Sequence, residues 1–375
     1  MQSRLMARPV LLAALAALAL VSCGKETTTA PPLVDRSLPS VLRYVRARYE
    51  LPAVAGVVIR GDSISEIDAV GLRRLGASDS VTLADHYHIG SNVKAMTADL
   101  VAMEVEAGRL AWDQTLAQLF PESADSMRAE YRTVTLEALL QHRSGLPAFT
   151  TMAEVVTVPT FTGTLAEQRA AFAHWLLQRP PGGTVGQYLY SNAGYALAGV
   201  ILERSASDSY ETLLQTRLWT PLGIAGGFGW PAAGGAPQPW GHRDAGLGRL
   251  MPHDPDDPAY QFPALLRPAG DAHMSIGDYA KFALLHLRGL RGGPQLLSAP
   301  TFLKLHTPNG TYALGWGVQY LAGATTSYHV GSAGTFAVCV MIQPDRDLAV
   351  VIATNAGGSN AINAVQGACL QILQP

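Results

Sequence analysis

Residues 336–354 read Phe336-Ala337-Val338-Cys339-Val340-Met341-Ile342-Gln343, then Pro344-Asp345-Arg346-Asp347, then Leu348-Ala349-Val350-Val351-Ile352-Ala353-Thr354. Two short apolar runs rich in β-branched residues flank a turn signal, the pattern of two strands. So short a connection requires antiparallel pairing. Working outward, Thr326 to Val330 and Ala313 to Leu321 also read as strands. Downstream, Ser359 to Leu373 places Ile362, Val365, Cys369 and Ile372 at helical spacing, which predicts a closing amphipathic helix. Near the other end, Ala53 to Arg60 is apolar and β-branched, Gly61-Asp62 turns the chain, and Ile64 to Val70 alternates. That is a second hairpin.

The middle of the chain has a different character. Thr164 with Glu167 forms a capping box opening a helix over Leu165 to Gln178. Asp208 with Glu211 has the same shape ahead of Leu213, Leu214 and Leu218, and Ser275 with Asp278 opens a helix carrying Ile276, Tyr279, Phe282 and Leu285. Gly226 to Pro258 is rich in Gly and Pro and reads as a long loop. The expected fold is α/β in the α+β sense. One antiparallel sheet forms from both chain ends, helices flank it, and a mostly helical subdomain is inserted. The α/β part should cover about residues 36–90 and 270–375, and the helical subdomain about 91–269.

The chain is 48% hydrophobic and 15% charged, with a formal net charge of -2. Such a balance disfavours nucleic acid, which calls for a basic patch. Residues 1–22 read as an export signal: Arg4 and Arg8 precede Val10 to Val21, an apolar run too short to span comfortably. The stretch Leu20-Val21-Ser22-Cys23-Gly24 resembles a bacterial lipoprotein processing site, with Cys23 as the lipidated residue. The Thr- and Pro-rich stretch that follows is a flexible tether, residues 23–35, leading to a domain over 36–375. The expectation is an exported, periplasmic protein held to the membrane by lipid on Cys23. Gly24 after the cysteine resembles outer-membrane sorting in a Gram-negative host. Cys339 and Cys369 read as two separately buried thiols, with a disulfide as the alternative in an oxidising compartment.

The sharpest chemical signal is Gly90-Ser91-Asn92-Val93-Lys94, ahead of a run from Ala95 to Val105 that is apolar nearly all round. Ser91 then sits at the N-terminus of a buried helix, and Lys94 shares its face. The helix terminus favours an attacking alkoxide, and desolvation pushes Lys94 towards the neutral amine that acts as a base. A second signal, Tyr190-Ser191-Asn192, precedes another apolar helix, Ala193 to Leu202. Tyr190 can relay the Ser91 proton, and Asn192 can hold a substrate carbonyl or the Lys94 amine; Asn192 as a helix N-cap is the bland alternative. A third signal is His329-Val330-Gly331-Ser332 between two strands. Alternation puts His329 and Gly331 on one face. Gly331 is expected to let substrate backbone approach, and the Ser332 and Ser91 N–H groups to form an oxyanion hole. His86 and His88 lie on one strand face and His253, Asp254, Asp256 and Asp257 in a loop, but neither group is assigned a metal.

Taken in this order, Ser91/Lys94, Tyr190/Asn192 and His329/Gly331 resemble the S-x-x-K, Y-x-N and K-T-G or H-x-G motifs of the serine β-lactamase and penicillin-binding protein superfamily. The likeness is to its class C-like branch. Leu139-Leu140-Gln141-His142-Arg143-Ser144-Gly145-Leu146, Pro221-Leu222-Gly223 and Ala269 to Phe282 add to the resemblance. It implies acyl transfer through Ser91 on an ester, a β-lactam or a small D-amino-acid peptide, with no cofactor. True class C β-lactamases and D-alanyl-D-alanine carboxypeptidases are the narrower alternative, and a non-catalytic β-lactam or cell-wall sensor is the alternative of another class. His329 departs from the Lys usual in β-lactamases and carboxypeptidases. With an ordinary pKa of about 6.5 it is mostly neutral at pH 7, which shifts the expectation towards ester or small-peptide substrates.

Overall fold

The computed structural model describes residues 35–246, 248–293 and 296–374. The export signal, Cys23 and all of the tether but Asp35 lie outside the described residues. Near the N-terminus, β1 (Ala53–Arg60) and β2 (Ser63–Gly71) form the expected hairpin. The middle holds only short strands: β3 (His86–His88), β4 (Gly226–Gly227), β5 (His242–Asp244), β6 (Leu250–Pro252) and β7 (His273–Ser275). Near the C-terminus come β8 (Gly317–Leu321), β9 (Ala324–Ser332), β10 (Ala337–Gln343) and β11 (Leu348–Thr354). Among the described residues the principal sheet has the order β2-β1-β11-β10-β9-β8, with every neighbouring pair antiparallel. The two chain ends are joined by β1 and β11, from Val54 opposite Thr354 to Arg60 opposite Leu348.

Strand alternation divides the sheet residues between two cores. Val54, Val58, Cys339, Met341, Val350 and Ile352 pack under the helices Leu38–Arg48 and Ser359–Leu373. Ala55, Val57, Val338, Val340 and Val351 belong to the other core, with the helices Val93–Glu106 and Ile276–Leu290. That second core continues into the helices Leu165–Leu177 and Asn192–Ala206. Covered on both sides, every residue of β10 and β11 is buried. Among the described residues no helix is long and apolar enough to cross a membrane.

Three expectations change in detail, and one alternative falls away. The strand read from Ala313 begins only at Gly317, because Gly315, at φ +84°, turns the chain first. Gly226 to Pro258 is not all loop: β5 and β6 pair, anchored by buried His242. The His242 backbone N–H reaches the Thr335 and Asn355 carbonyls, and its Nε2 accepts from the Leu75 N–H at 3.0 Å. The helix expected from an Asp208 cap is instead Tyr210–Leu213, capped by Ser209, whose hydroxyl accepts from the Thr212 N–H. Glu211 is drawn away to arginines instead. Cys339 and Cys369 are buried free thiols, so the disulfide alternative is not formed.

Candidate active site

Ser91 lies in a single 3-10 turn, Gly90–Asn92, that feeds directly into the helix Val93–Glu106. The turn sits against β9 backbone to backbone. A Cβ on Gly90, whose φ is +53°, would lie 2.5 Å from the Ser332 nitrogen. A Cβ on Gly331 would lie 1.9 Å from the Ile89 carbonyl oxygen and 2.9 Å from the Ser91 nitrogen. The close approach that Gly331 permits here is to the Ser91 turn, in addition to any approach of substrate backbone that the sequence suggested. It brings the Ser332 backbone against Gly90.

Lys94 follows one helical turn later and is fully buried. Its Nζ lies 3.1 Å from the Ser91 Oγ, 2.7 Å from the Asn192 Oδ1 and 2.5 Å from the Ala269 carbonyl oxygen. The last two partners can only accept. A neutral amine has two N–H groups and one lone pair. With both N–H groups given to Asn192 and Ala269, the lone pair is left for the Ser91 hydroxyl proton. Burial alone, with no carboxylate partner, holds the Lys94 pKa well below its ordinary value. The Tyr190 and Tyr195 rings flank the amine, at 4.8 and 5.6 Å from Nζ to the ring centres.

The Tyr190-Ser191-Asn192 step opens the helix Asn192–Ala206. Ser191 is the cap: its hydroxyl accepts from the Gly194 N–H and donates to the Pro147 carbonyl. Asn192 is thereby left free for Lys94, while its Nδ2 donates to the Phe149 carbonyl at 2.8 Å. Burial raises the Tyr190 pKa, and a hydrogen bond with the Ser91 side chain partly offsets this. The phenol therefore stands in its neutral form rather than as a phenolate.

His329 is 5% exposed, not a surface residue. Its Nδ1 lies 2.7 Å from the Gly315 carbonyl oxygen. Desolvation, reinforced by Lys94, pushes its pKa down to about 3. The structure thus gathers Ser91, Lys94, Tyr190 and Asn192 around one amine. Strand β9 brings Gly331 and Ser332 against the Ser91 turn, with His329 two residues from Gly331 on the same face.

Sequence reasoning missed three participants. The Ala269 carbonyl is a backbone group and has no residue-type signal. Gly315 offers its carbonyl to His329 and packs its α-carbon on the Lys94–Ala95 backbone, where a Cβ would lie 2.7 Å from the Ala95 Cα. His142, inside the quoted 139–146 stretch, is buried with its ring 4.2 Å from that of Tyr190, and its Nδ1 accepts from the Ser191 N–H at 3.0 Å. Its positive φ of 59° could not be read from residue type. The other histidine candidates are held by the protein itself. His88 Nδ1 accepts from the Gly90 N–H and its Nε2 faces Asp271 at 3.2 Å, while His86 pairs with His273. In the loop, Asp254 and Asp257 accept local backbone N–H groups.

A helix-borne Ser-x-x-Lys pair faces Tyr-x-Asn and a His-x-Gly strand, on an antiparallel sheet flanked by helices. This combination defines a serine hydrolase-type protein of the β-lactamase and penicillin-binding protein-like class. The chain belongs to the Beta-lactamase family, which it matches over residues 39–368. It is 27% identical to Penicillin-binding protein 4 of Amycolatopsis lactamdurans over 84% of this chain and 83% of that protein. It is 28% identical to Unguisins hydrolase ungD of Aspergillus violaceofuscus over 62% of this chain, but spans only 42% of that protein. In fold it resembles SurE, with a TM-score of 0.72 and 24% identity over 89% of this chain and 74% of that one. It also resembles an octameric penicillin-binding protein homologue from Pyrococcus abyssi, with a TM-score of 0.69 and 22% identity over 87% of this chain and 75% of that one.

Proposed function

We propose that the protein is a serine acyl-hydrolase of class C-like type that works through a covalent acyl-enzyme on Ser91. The observation that carries this reading is the hydrogen-bond count at Lys94. In the neutral amine that burial favours, two acceptor-only oxygens take both N–H groups, which leaves the lone pair for the Ser91 hydroxyl. Lys94, assisted by Tyr190, takes the Ser91 proton as Oγ attacks the substrate carbonyl carbon. The carbonyl oxygen becomes an oxyanion, for which the Ser91 and Ser332 N–H groups are the proposed donors. When the tetrahedral intermediate collapses, the bond to the leaving group breaks and that group departs with a proton returned through Tyr190. Water, deprotonated by the same Tyr190–Lys94 pair, then attacks the acyl carbon, and Ser91 leaves with its proton restored.

The substrate is an ester or an amide, the latter including small D-amino-acid peptides. Two of the similar proteins support keeping D-amino-acid substrates and hydrolysis in view: one is named a hydrolase of unguisins, and SurE has been solved with D-Leu. A true class C β-lactamase or D-alanyl-D-alanine carboxypeptidase is less supported, because His329 stands where a fixed cation would bind a carboxylate. Fluorophosphonate labelling tests the reading. The wild type should label at Ser91 and hydrolyse short-chain p-nitrophenyl esters; a Ser91→Ala protein that still labels and turns over would refute it.

Cys23 is proposed as the lipidated N-terminus of the mature, periplasmic protein, reached through the tether. Metabolic labelling with an alkyne fatty acid should tag the wild type, and Cys23→Ser should release the protein in soluble form. Tagging that survives Cys23→Ser would remove the anchor from that residue.

A further inference from the structure

We infer that His329 presents a hydrogen-bond acceptor to the bound substrate, and that the substrate group beside it is an uncharged donor rather than a carboxylate. This rests on the serine-hydrolase reading and narrows its substrate class. The Gly315 carbonyl oxygen lies 2.7 Å from the His329 Nδ1. A carbonyl oxygen can only accept, so the proton is on Nδ1. In a neutral imidazole the other nitrogen then carries a lone pair and no hydrogen. Nε2 has no protein partner among the described residues, yet it is not one of the sealed, unsatisfied polar atoms. It therefore keeps some exposure to solvent, on a residue that is otherwise 5% exposed.

The carbonyl that sets this tautomer cannot easily turn away. Gly315 is at φ +84°, and a Cβ there would lie 2.7 Å from the Ala95 Cα and 3.0 Å from the Lys94 carbonyl oxygen. The turn is wedged on the helix that carries Lys94, and buried Trp316 follows it. Nor does the surrounding charge favour a second proton on the ring. Its neighbours are Lys94, the Tyr312 ring at 6.1 Å and, opposite it on β10, Val340. Burial is the largest cause and opposes the imidazolium, a protonated Lys94 would oppose it further, and the Gly315 hydrogen bond is the smallest cause and acts the other way.

The place of His329 on β9 gives the lone pair its meaning. Gly331, two residues on and on the same face, packs on the Ser91 turn. At about 3.3 Å per residue, His329 is some 7 Å further along the strand, within reach of a group next to the scissile carbonyl. A carboxylate there has only acceptors to offer, and it would meet the lone pair of a side chain that is only 5% exposed. Both would stay unpaired, a mismatch that sites reject strongly. An N–H or O–H donor fits. A Lys at this position would reverse the preference, since an ammonium only donates.

Thioesters that differ in one terminal group test the inference. One series varies the leaving group: thioglycolate, thioglycolamide and methyl thioglycolate on a common acyl group. A second varies the acyl end in the same three ways. Thiol release gives kcat/KM, and fluorophosphonate labelling of Ser91 is run beside it. In at least one series the carboxamide should exceed the carboxylate by about tenfold or more and also exceed the methyl ester, and His329→Lys should invert carboxamide and carboxylate in that series. Labelling with turnover in which the wild type prefers the carboxylate, or ranks all three alike in both series, overturns this inference and leaves the hydrolase reading standing. No labelling and no turnover overturns both. If His329→Lys does not fold, as read by circular dichroism, the wild-type ranking alone decides the matter.

Discussion

Burying an amine without a counter-charge is unfavourable, and the protein accepts that cost at Lys94. The side chain is fully buried, and burial alone lowers its pKa. A lowered pKa means that the unfolded chain binds more protons than the folded one at pH values between the folded pKa and 10.5. Stability attributable to this residue therefore rises with pH across that window. Lys94→Met removes the ionisable group but keeps the volume. It is expected to abolish activity by about 10²–10⁴-fold, the range for losing a general base, while raising Tm at pH 7. The Tm advantage of the variant should shrink as pH approaches 10.5, as read by thermal melts of both proteins across pH. An advantage that stays constant with pH would mean that Lys94 is not the titrating group. The wild-type kcat/KM should rise with pH to a plateau reached well below 10.5, because the neutral amine is the active form.

At the scale of elements, the contact between the Ser91 turn and β9 depends on missing side chains. Gly331→Ala sets a Cβ 1.9 Å from the Ile89 carbonyl oxygen, and backbone on both sides must shift. A loss of about 1–3 kcal/mol in urea denaturation is expected, with a fall in kcat/KM out of proportion to it, because the displaced group is the turn that carries Ser91, the proposed nucleophile. Gly367→Ala is the opposite case. Gly367 lies inside the helix Ser359–Leu373, and an added Cβ would meet nothing within 4 Å. It should stabilise by about 0.5–1 kcal/mol through helix propensity alone and leave activity unchanged. The same contrast explains what was legible in the sequence. Leu348–Thr354, Ala53–Arg60 and Ser359–Leu373 fall where period and punctuation placed them, because each signal is local. The pairing of β1 with β11 was legible only as a topology, whereas the register across it depends on residues some three hundred positions apart. Within the site, Ser91 and Lys94 were legible because a helix fixes residues three apart. His142, Gly315 and the Ala269 carbonyl were not, because each acts through long-range backbone geometry that no residue type encodes.

At the scale of the whole molecule, one chain of charged and polar groups runs from the helical region to the Ser91 turn. Arg169 on the helix Leu165–Leu177, 1% exposed, bonds Glu203 at 2.5 Å and Glu211 at 2.6 Å. Arg267 bonds Glu211 and then Asp271, which faces His88, whose Nδ1 accepts from the Gly90 N–H. Arg267 also begins the short helix Arg267–Gly270, from which Ala269 offers its carbonyl to Lys94. Burial works against ionisation of Glu211, but the Arg169 and Arg267 contacts prevail and bring its pKa to about 2. A carboxylate whose folded pKa is depressed stabilises the fold above its ordinary value of 4.5, and that contribution is lost as pH falls towards 2. Arg169→Met leaves Glu203 with the Tyr210 N–H and Glu211 with Arg267. Removing one member of a buried ionic group costs about 3–5 kcal/mol, because the carboxylates that remain are still desolvated. Glu211 should then take up its proton at higher pH, which relieves the variant but not the wild type. The stability gap in urea denaturation should therefore be widest near pH 7 and narrow as pH falls from 4.5 towards 2. A gap that stays constant over this range would mean that Arg169 stabilises the fold by packing rather than by charge.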